Sequence, residues 1–101
     1  MEPHSGRARP TRKAAEILAI EALAFIAEDQ RILARFLDIS GIPAEQIRTA
    51  SREPGFLAGV LEHMLADEKL LVAFAASAGI DPAAVARAAS ALGSQWERDM
   101  P

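Results

Sequence analysis

Asp29-Gln30-Arg31-Ile32-Leu33-Ala34-Arg35-Phe36-Leu37-Asp38-Ile39-Ser40-Gly41-Ile42 is the stretch that decides the fold. Asp29 is a carboxylate placed to cap the free N–H groups of a helix start. Ile32, Leu33, Phe36 and Leu37 recur at i, i+1, i+4 and i+5 as one apolar stripe, with Arg31, Arg35 and Asp38 on the wet side. Gly41 is the expected left-handed stop, and apolar Ile42 follows it. The same grammar returns 38 residues later in Asp67, Leu70, Leu71, Phe74, Gly79 and Ile80. At that offset Leu23 meets Leu61, Asp29 meets Asp67, Leu33 meets Leu71 and Phe36 meets Phe74. Gly41-Ile42 then meets Gly79-Ile80, and Ala50 meets Ala88. The ordered set implies a pseudo-repeat of two three-helix units that share one core, because neither could bury its apolar face alone.

Working outward, a first helix is expected from about Thr11 to Glu28. Its apolar residues Ile17, Leu18, Ile20, Leu23, Phe25 and Ile26 go most of the way round. Such a helix is expected to be buried on most sides, inside the bundle or under a second subunit. Pro43 opens a short third helix at its first position, with Ile47 and Ala50 inward, and Ser51-Arg52-Glu53-Pro54 ends it. Gly55 to Ala66 forms the fourth, with Phe56, Leu57, Val60, Leu61, Met64 and Leu65 on one face. Asp81-Pro82 starts the sixth, with Val85, Ala88, Ala89 and Leu92 inward, and Gly93 is expected to end it. The expected fold is all-α: a single compact orthogonal bundle of five to six short helices in two pseudo-repeated three-helix halves. The helical domain should span 14–92, between a disordered basic tail at 1–13 and a C-terminal tail at 93–101.

Composition agrees. The 101 residues, 10.8 kDa, make one small domain. Alanine occurs 22 times against five aromatics and no Tyr, and β-branched residues are few, which excludes an all-β fold. The absence of Cys removes disulfide scaffolds, thiolate zinc sites and cysteine nucleophiles. The longest apolar run, Ile17 to Ala27, is broken by Glu21 and falls short of the ~20 residues that cross a bilayer. The N-terminal residues show no apolar leader stretch, so the expectation is a cytoplasmic protein with no membrane segment. Residues 1–13 carry a net +3 and the remainder −6, which together give the chain's −3.

Candidate chemistry is sparse. Ala75, Gly79, Ile80 and Val85 have the spacing of a helix-turn-helix corner, and Leu37, Gly41, Ile42 and Ile47 give a weaker copy. A nucleic-acid reading would use Gln46 and Arg48 at the first corner together with Arg7, Arg9, Arg12 and Lys13 of the basic arm. Against it, any tight corner between packed helices favours glycine. The second helix of the better corner, Pro82 to Ser90, offers only Arg87, and an acidic body lacks the usual positive footprint. His63 and Asp67 lie one helical turn apart, but two ligands do not make a metal site. The serines lie near helix ends, where hydroxyls cap or turn the backbone. Glu28-Asp29 and Asp67-Glu68 sit at helix starts, where the dipole stabilises the charged form, the opposite of what a general acid needs. Phosphate-loop and dinucleotide glycine patterns are lacking, so neither catalysis nor a cofactor is expected.

Ala22-Leu23-Ala24-Phe25-Ile26-Ala27, Phe36-Leu37 with Gly41-Ile42, and Pro54-Gly55-Phe56-Leu57 with Val60-Leu61 form a set. With Leu65-Ala66-Asp67-Glu68, Leu70-Leu71 and Phe74, that set resembles a family of short all-helical alphaproteobacterial proteins, a domain of unknown function. The resemblance covers roughly Ala14 to Leu92 and implies a short helical cytoplasmic bacterial protein with no assigned activity. By elimination and by its surplus of apolar surface, the chain is expected to be a non-catalytic protein-interaction or adaptor module. Its partner would be another protein, with a homo-oligomer possible and Phe56 and Trp96 as contact residues. The alternative is a DNA-binding regulator built on the corner and arm. A third option, a small apolar ligand held between the halves, requires a cavity there.

Overall fold

Two carboxylates and two glycines punctuate the chain as their chemistry dictates. In the computed structural model, which describes residues 10–99 and the side chains of 10–93, Asp29 Oδ1 accepts from the N–H groups of Arg31 (2.9 Å) and Ile32 (3.3 Å). Asp67 Oδ1 accepts from Leu70 N–H at 3.2 Å, and Asp81 Oδ1 from Ala83 N–H at 2.9 Å. Thr11 caps the first helix through its hydroxyl, which accepts from Ala14 N–H at 3.0 Å. Gly41 (φ 73°) and Gly79 (φ 70°) are the two left-handed stops.

The helices between these signals are α1 (Arg12–Ala27), α2 (Gln30–Ser40), α3 (Ile47–Ala50), α4 (Pro54–Leu65), α5 (Glu68–Ala78) and α6 (Pro82–Asp99). A 3-10 turn, Ala44–Gln46, leads into α3. There is no strand among the described residues, and the architecture is the all-α bundle that the caps define. α1, α4 and α6 pack together to form the centre, α2 lies against α1, and α5 lies against α4. α5 meets the first part of α6 at 102°, the orthogonal corner that Gly79 permits.

Ile26, Leu57, Val60, Leu61, Met64, Val85 and Leu92 are the largest fully enclosed side chains. Ala15, Ala19, Ala22 and Ala88 are buried beside them, and their small side chains let the three central helices approach closely. In the first two helices of each half, residues 38 apart share environments: Ala19 and Leu57, Ala22 and Val60, Ile26 and Met64 are buried, while Leu33 and Leu71 are half-buried. The expected match does not extend to the third helices, where Ile47 and Ala50 of the four-residue α3 are half-buried and Val85 and Ala88 of the central α6 are buried. The aromatic contacts are reciprocal across the halves. Phe25 on α1 meets Phe74 on α5 edge-on at 5.6 Å, and His63 on α4 meets Phe36 on α2 edge-on at 5.1 Å. Positions 25 and 63 correspond, as do 36 and 74, so each half presses its aromatic residue into the other. That reciprocity is the signature of two-fold packing, here within one chain.

Several expectations need correction. Within the single chain α1 is not buried on most sides: Lys13, Ile17, Ile20, Ala24 and Ala27 recur at helical spacing as an exposed stripe, with Ile17 at 50% and Ile20 at 48% exposure. Of the two expected forms of cover, inside the bundle or under a second subunit, the first therefore does not hold. Its inner face is made of Ala15, Ala19 and Ala22 with Leu23 and Ile26, while Ile17 and Ile20 face outward. Pro43 is not the first helical residue; with ψ at 145° it stands just before the 3-10 turn. The fourth helix begins at Pro54, which takes the first-turn position expected of Gly55. Gly93 does not end α6, which continues to Asp99, so the 93–101 tail is helical over most of its length. Gly93 has no positive φ, and the C-cap geometry of Gly41 and Gly79 is absent there. α1 likewise takes in Arg12 and Lys13 from the proposed tail, because Thr11 caps it. Arg7 and Arg9 lie outside the described residues.

The glycines therefore predict opposite effects. Gly79→Ala should cost about 1–2 kcal/mol, because its φ is one that a Cβ opposes. Gly93→Ala should gain about 0.5–1 kcal/mol, since a Cβ there meets nothing within 4 Å and alanine is the better helix former. Urea midpoints of the two variants against the native chain check the pair.

Candidate docking groove between the halves

The reciprocal packing leaves a groove open to solvent where α2 faces α4 and α5. It consists of two hollows that share Arg35, His63 and Asp67. The larger, about 380 Å³, is lined by Phe36, Ile39, Ser40, Phe56, Gly59, Glu62 and Ala66 besides the shared three. Phe36 and Phe56 stack edge-on at 5.9 Å as its floor, and Ile39, 65% exposed, stands at its lip. The neighbouring hollow, about 350 Å³, adds Phe25, Arg31, Ile32, Lys69, Leu70 and Ala73.

Numbering places this second hollow on the pseudo-two-fold axis. Eight of its nine lining residues form pairs 38 apart: Phe25 with His63, Arg31 with Lys69, Ile32 with Leu70, and Arg35 with Ala73. The larger hollow lies off the axis and has a counterpart. A third hollow of about 300 Å³ is lined by Glu21, Ala24, Phe25, Glu28, Phe74, Ser77 and Ala78. Adding 38 to Glu21, Ala24, Phe25 and Glu28, and subtracting 38 from Phe74, Ser77 and Ala78, gives in each case a residue of the larger hollow. The halves have diverged there: Glu21, Glu28 and Ser77 on one side are replaced by Gly59, Ala66 and Ile39 on the other. One member of the pair is thereby roomier, although Glu62 stands in it where the other has Ala24, and the other carries Glu21 and Glu28.

Local chemistry explains each placement. Arg31 and Arg35 are one helical turn apart on α2, so both point along the same face. Lys69 lies in the first turn of α5. Arg31, Arg35 and Lys69 are exposed, and none has a carboxylate within 4 Å among the described residues, where Arg12 with Glu16 at 3.4 Å is the one ion pair. Burial, and next the Arg35 guanidinium, push the His63 imidazole below the ordinary histidine value of 6.5, while Asp67 pulls the other way without prevailing. The native state thus binds fewer protons than the unfolded chain as pH falls below 6.5. Stability contributed by the neutral ring is fully present above 6.5 and is lost as pH drops through the folded-state value. His63→Phe, which copies Phe25, should remove that slope between pH 7 and 5 and add about 0.5–1.5 kcal/mol through a full aromatic pair with Phe36. Thermal unfolding of both chains across that range reads the difference.

The sequence candidates fall in different places. Phe56 is half-buried in the groove floor. Trp96 belongs to α6, and its side chain lies outside those described. Arg12 and Lys13 are exposed in the first turn of α1, Gln46 ends the 3-10 turn, and Arg48 is exposed on α3. The structure does not bring these four to the groove. The Gly41 corner leads into a helix of only four residues, too short to lie along a major groove. His63 and Asp67 share the groove, yet no three of the described His, Asp and Glu residues gather as one ion would require. Ser40, beside His63, uses its hydroxyl on the helix end: it donates to Leu37 C=O (3.3 Å) and accepts from Ile42 N–H (3.4 Å). Sequence reasoning missed Ile39, Gly59, Arg31, Arg35 and Lys69 as site residues. Extending the 38-residue alignment to positions 31 and 69, both cationic, was the available signal.

Fold and groove together define a class: a small two-half helical bundle with an amphipathic cleft across its internal two-fold. Residues 12–95 match the family described as Protein of unknown function (DUF3572), and the chain belongs to it. No curated protein and no solved structure matches the chain. No single helix is long and apolar enough to cross a membrane among the described residues, and the one pair that would qualify jointly, α5 with the first part of α6, is bent by 102°.

Proposed function

We propose that this chain is a non-catalytic protein-interaction module, an adaptor of the bacterial cytoplasm, and that its partner docks in the groove between α2 and α4. The observation that carries this reading is the larger hollow. An aromatic floor, an isoleucine 65% exposed at the lip and a charged rim form the mixed surface that protein interfaces use. Its volume falls at the small end of ligand sites, but it is open along one side, which suits a side chain borne on a partner better than an engulfed small molecule. The serine and histidine in the groove are not arranged as nucleophile and base, which supports a binding role over a catalytic one.

Affinity capture from nuclease-treated native lysate, with the full chain and with Ile39→Glu, tests the reading. Ile39 is exposed, so the substitution should change stability by under about 0.5 kcal/mol. A specific protein retained by the native chain and lost with Ile39→Glu is the expected result. If everything bound disappears with nuclease, the groove is not the site and the corner and basic arm take its place.

A further inference from the structure

Resting on the groove as a protein-docking face, we infer that its occupant is an acidic amphipathic helix, with one apolar side chain in the hollow beside Gly59 and carboxylates on Arg31, Arg35 and Lys69.

Gly59 is the first observation. It lies inside α4, has no positive φ, and a Cβ placed on it would meet nothing within 4 Å. Glycine inside a helix is markedly less favourable than alanine. Neither backbone conformation nor close packing requires it here. What it does is hold open the wall of the larger hollow, where the corresponding residue of the other half is Glu21. Ala66, opposite Glu28, acts the same way. The two changes clear the wall of the larger hollow for an apolar anchor, although Glu62 also lines it, while Glu21 and Glu28 occupy the wall of its counterpart.

Charge supplies the second observation. On a chain of net −3, three cations converge at the axial hollow. The carboxylate among them, Asp67, accepts from Leu70 N–H as the cap of α5. Arg31 and Arg35 are spaced like carboxylates at i and i+4 on a facing helix, and guanidinium–carboxylate pairs are the stronger charge-assisted contacts. At the far end of the groove stands Glu62, which disfavours carboxylates there. The groove therefore orients its occupant: acidic end over the axis, apolar anchor in the larger hollow. Two hollows in line along α2 match the one-face anchors by which helices bind grooves.

The test uses a displayed library of random 16-residue peptides, selected on the full chain. Each enriched peptide is then measured against the native chain, Gly59→Glu, and the double variant Arg31→Glu with Arg35→Glu, all exposed positions whose folding is checked by circular dichroism. The expected peptides combine apolar residues at i and i+3 or i+4 with Asp or Glu. They should lose binding to Gly59→Glu, weaken at least tenfold on the double variant, and weaken further with added salt. Enriched peptides that are neutral or basic, lost on Gly59→Glu but indifferent to the double variant, would leave the groove as a docking face and overturn its acidic specificity. Binding undiminished on Gly59→Glu, or no enrichment at all, overturns both. Sedimentation of the chain alone adds one further outcome: a dimer that Gly59→Glu dissolves makes the occupant a second copy and refutes the acidic helix.

Discussion

Phe74→Ala should lower unfolding free energy by about 3–5 kcal/mol, and Phe36→Ala by a similar amount. A folded region of this size holds on the order of 5–12 kcal/mol in all, so either variant stands at the edge of unfolding at 25 °C. Phe74 and Phe36 are 2% and 3% exposed, and each carries the edge-on contact that ties one half to the other. Truncation removes the transfer free energy of the ring and leaves a void that helices fixed at both ends by caps cannot close. Phe56→Ala should cost less, about 1–2 kcal/mol, because the half-buried ring already meets water on its groove side. Urea denaturation followed by far-ultraviolet circular dichroism checks the order. Equal costs for Phe36 and Phe56 would contradict the reciprocal packing.

Gly59→Glu should separate binding from stability more sharply than any other single change. The side chain enters open space and replaces glycine by a better helix former, so the melting temperature should hold or rise, with a gain of up to about 0.5 kcal/mol. Partner affinity should fall by at least about 30-fold, the loss of a contact worth roughly 2 kcal/mol or more at the centre of an interface. Isothermal titration with a groove-binding peptide and differential scanning calorimetry measure the two quantities. A variant that melts earlier and binds equally well would show that Gly59 serves packing, not recognition.

Much of the fold was legible because its punctuation is local. Asp29, Asp67 and Asp81 each bond to N–H groups two or three residues away, and Gly41 and Gly79 answer a backbone need set within one turn. Such signals depend on nothing distant. The 38-residue repeat was legible wherever identities are kept, as at Asp29 and Asp67 or Phe36 and Phe74. The misreadings arose where the outcome depends on what lies opposite. Gly93 carries the same letter as Gly79, but it stays helical where Gly79 turns, and nothing nearby in sequence distinguishes them. Ile17 and Ile20 of α1 suggested burial on most sides, yet Ala15, Ala19 and Ala22 take inner positions beside Leu23 and Ile26, where small side chains allow α4 and α6 to approach.

The groove was the least legible part, for a related reason. Its members come from α1, α2, α4 and α5, and it exists only because the halves exchange aromatic residues. At positions 25 and 63 the repeat changes Phe to His, so identity matching drops the pair that defines the axis. Chemical class survives where identity does not: aromatic-like at 25 and 63, cationic at 31 and 69, aliphatic at 32 and 70. Divergence between the halves then carries the functional message, since Glu21 and Glu28 against Gly59 and Ala66 mark the side that was opened.

The most direct measurement is hydrogen–deuterium exchange of the full chain, free and bound to the protein retained from nuclease-treated lysate. Docking in the groove should add protection in 31–40 and 56–67, its two walls. Protection confined to 12–24, along the exposed isoleucines of α1, or to the glycine corner at 75–87, would contradict it and move the binding face elsewhere.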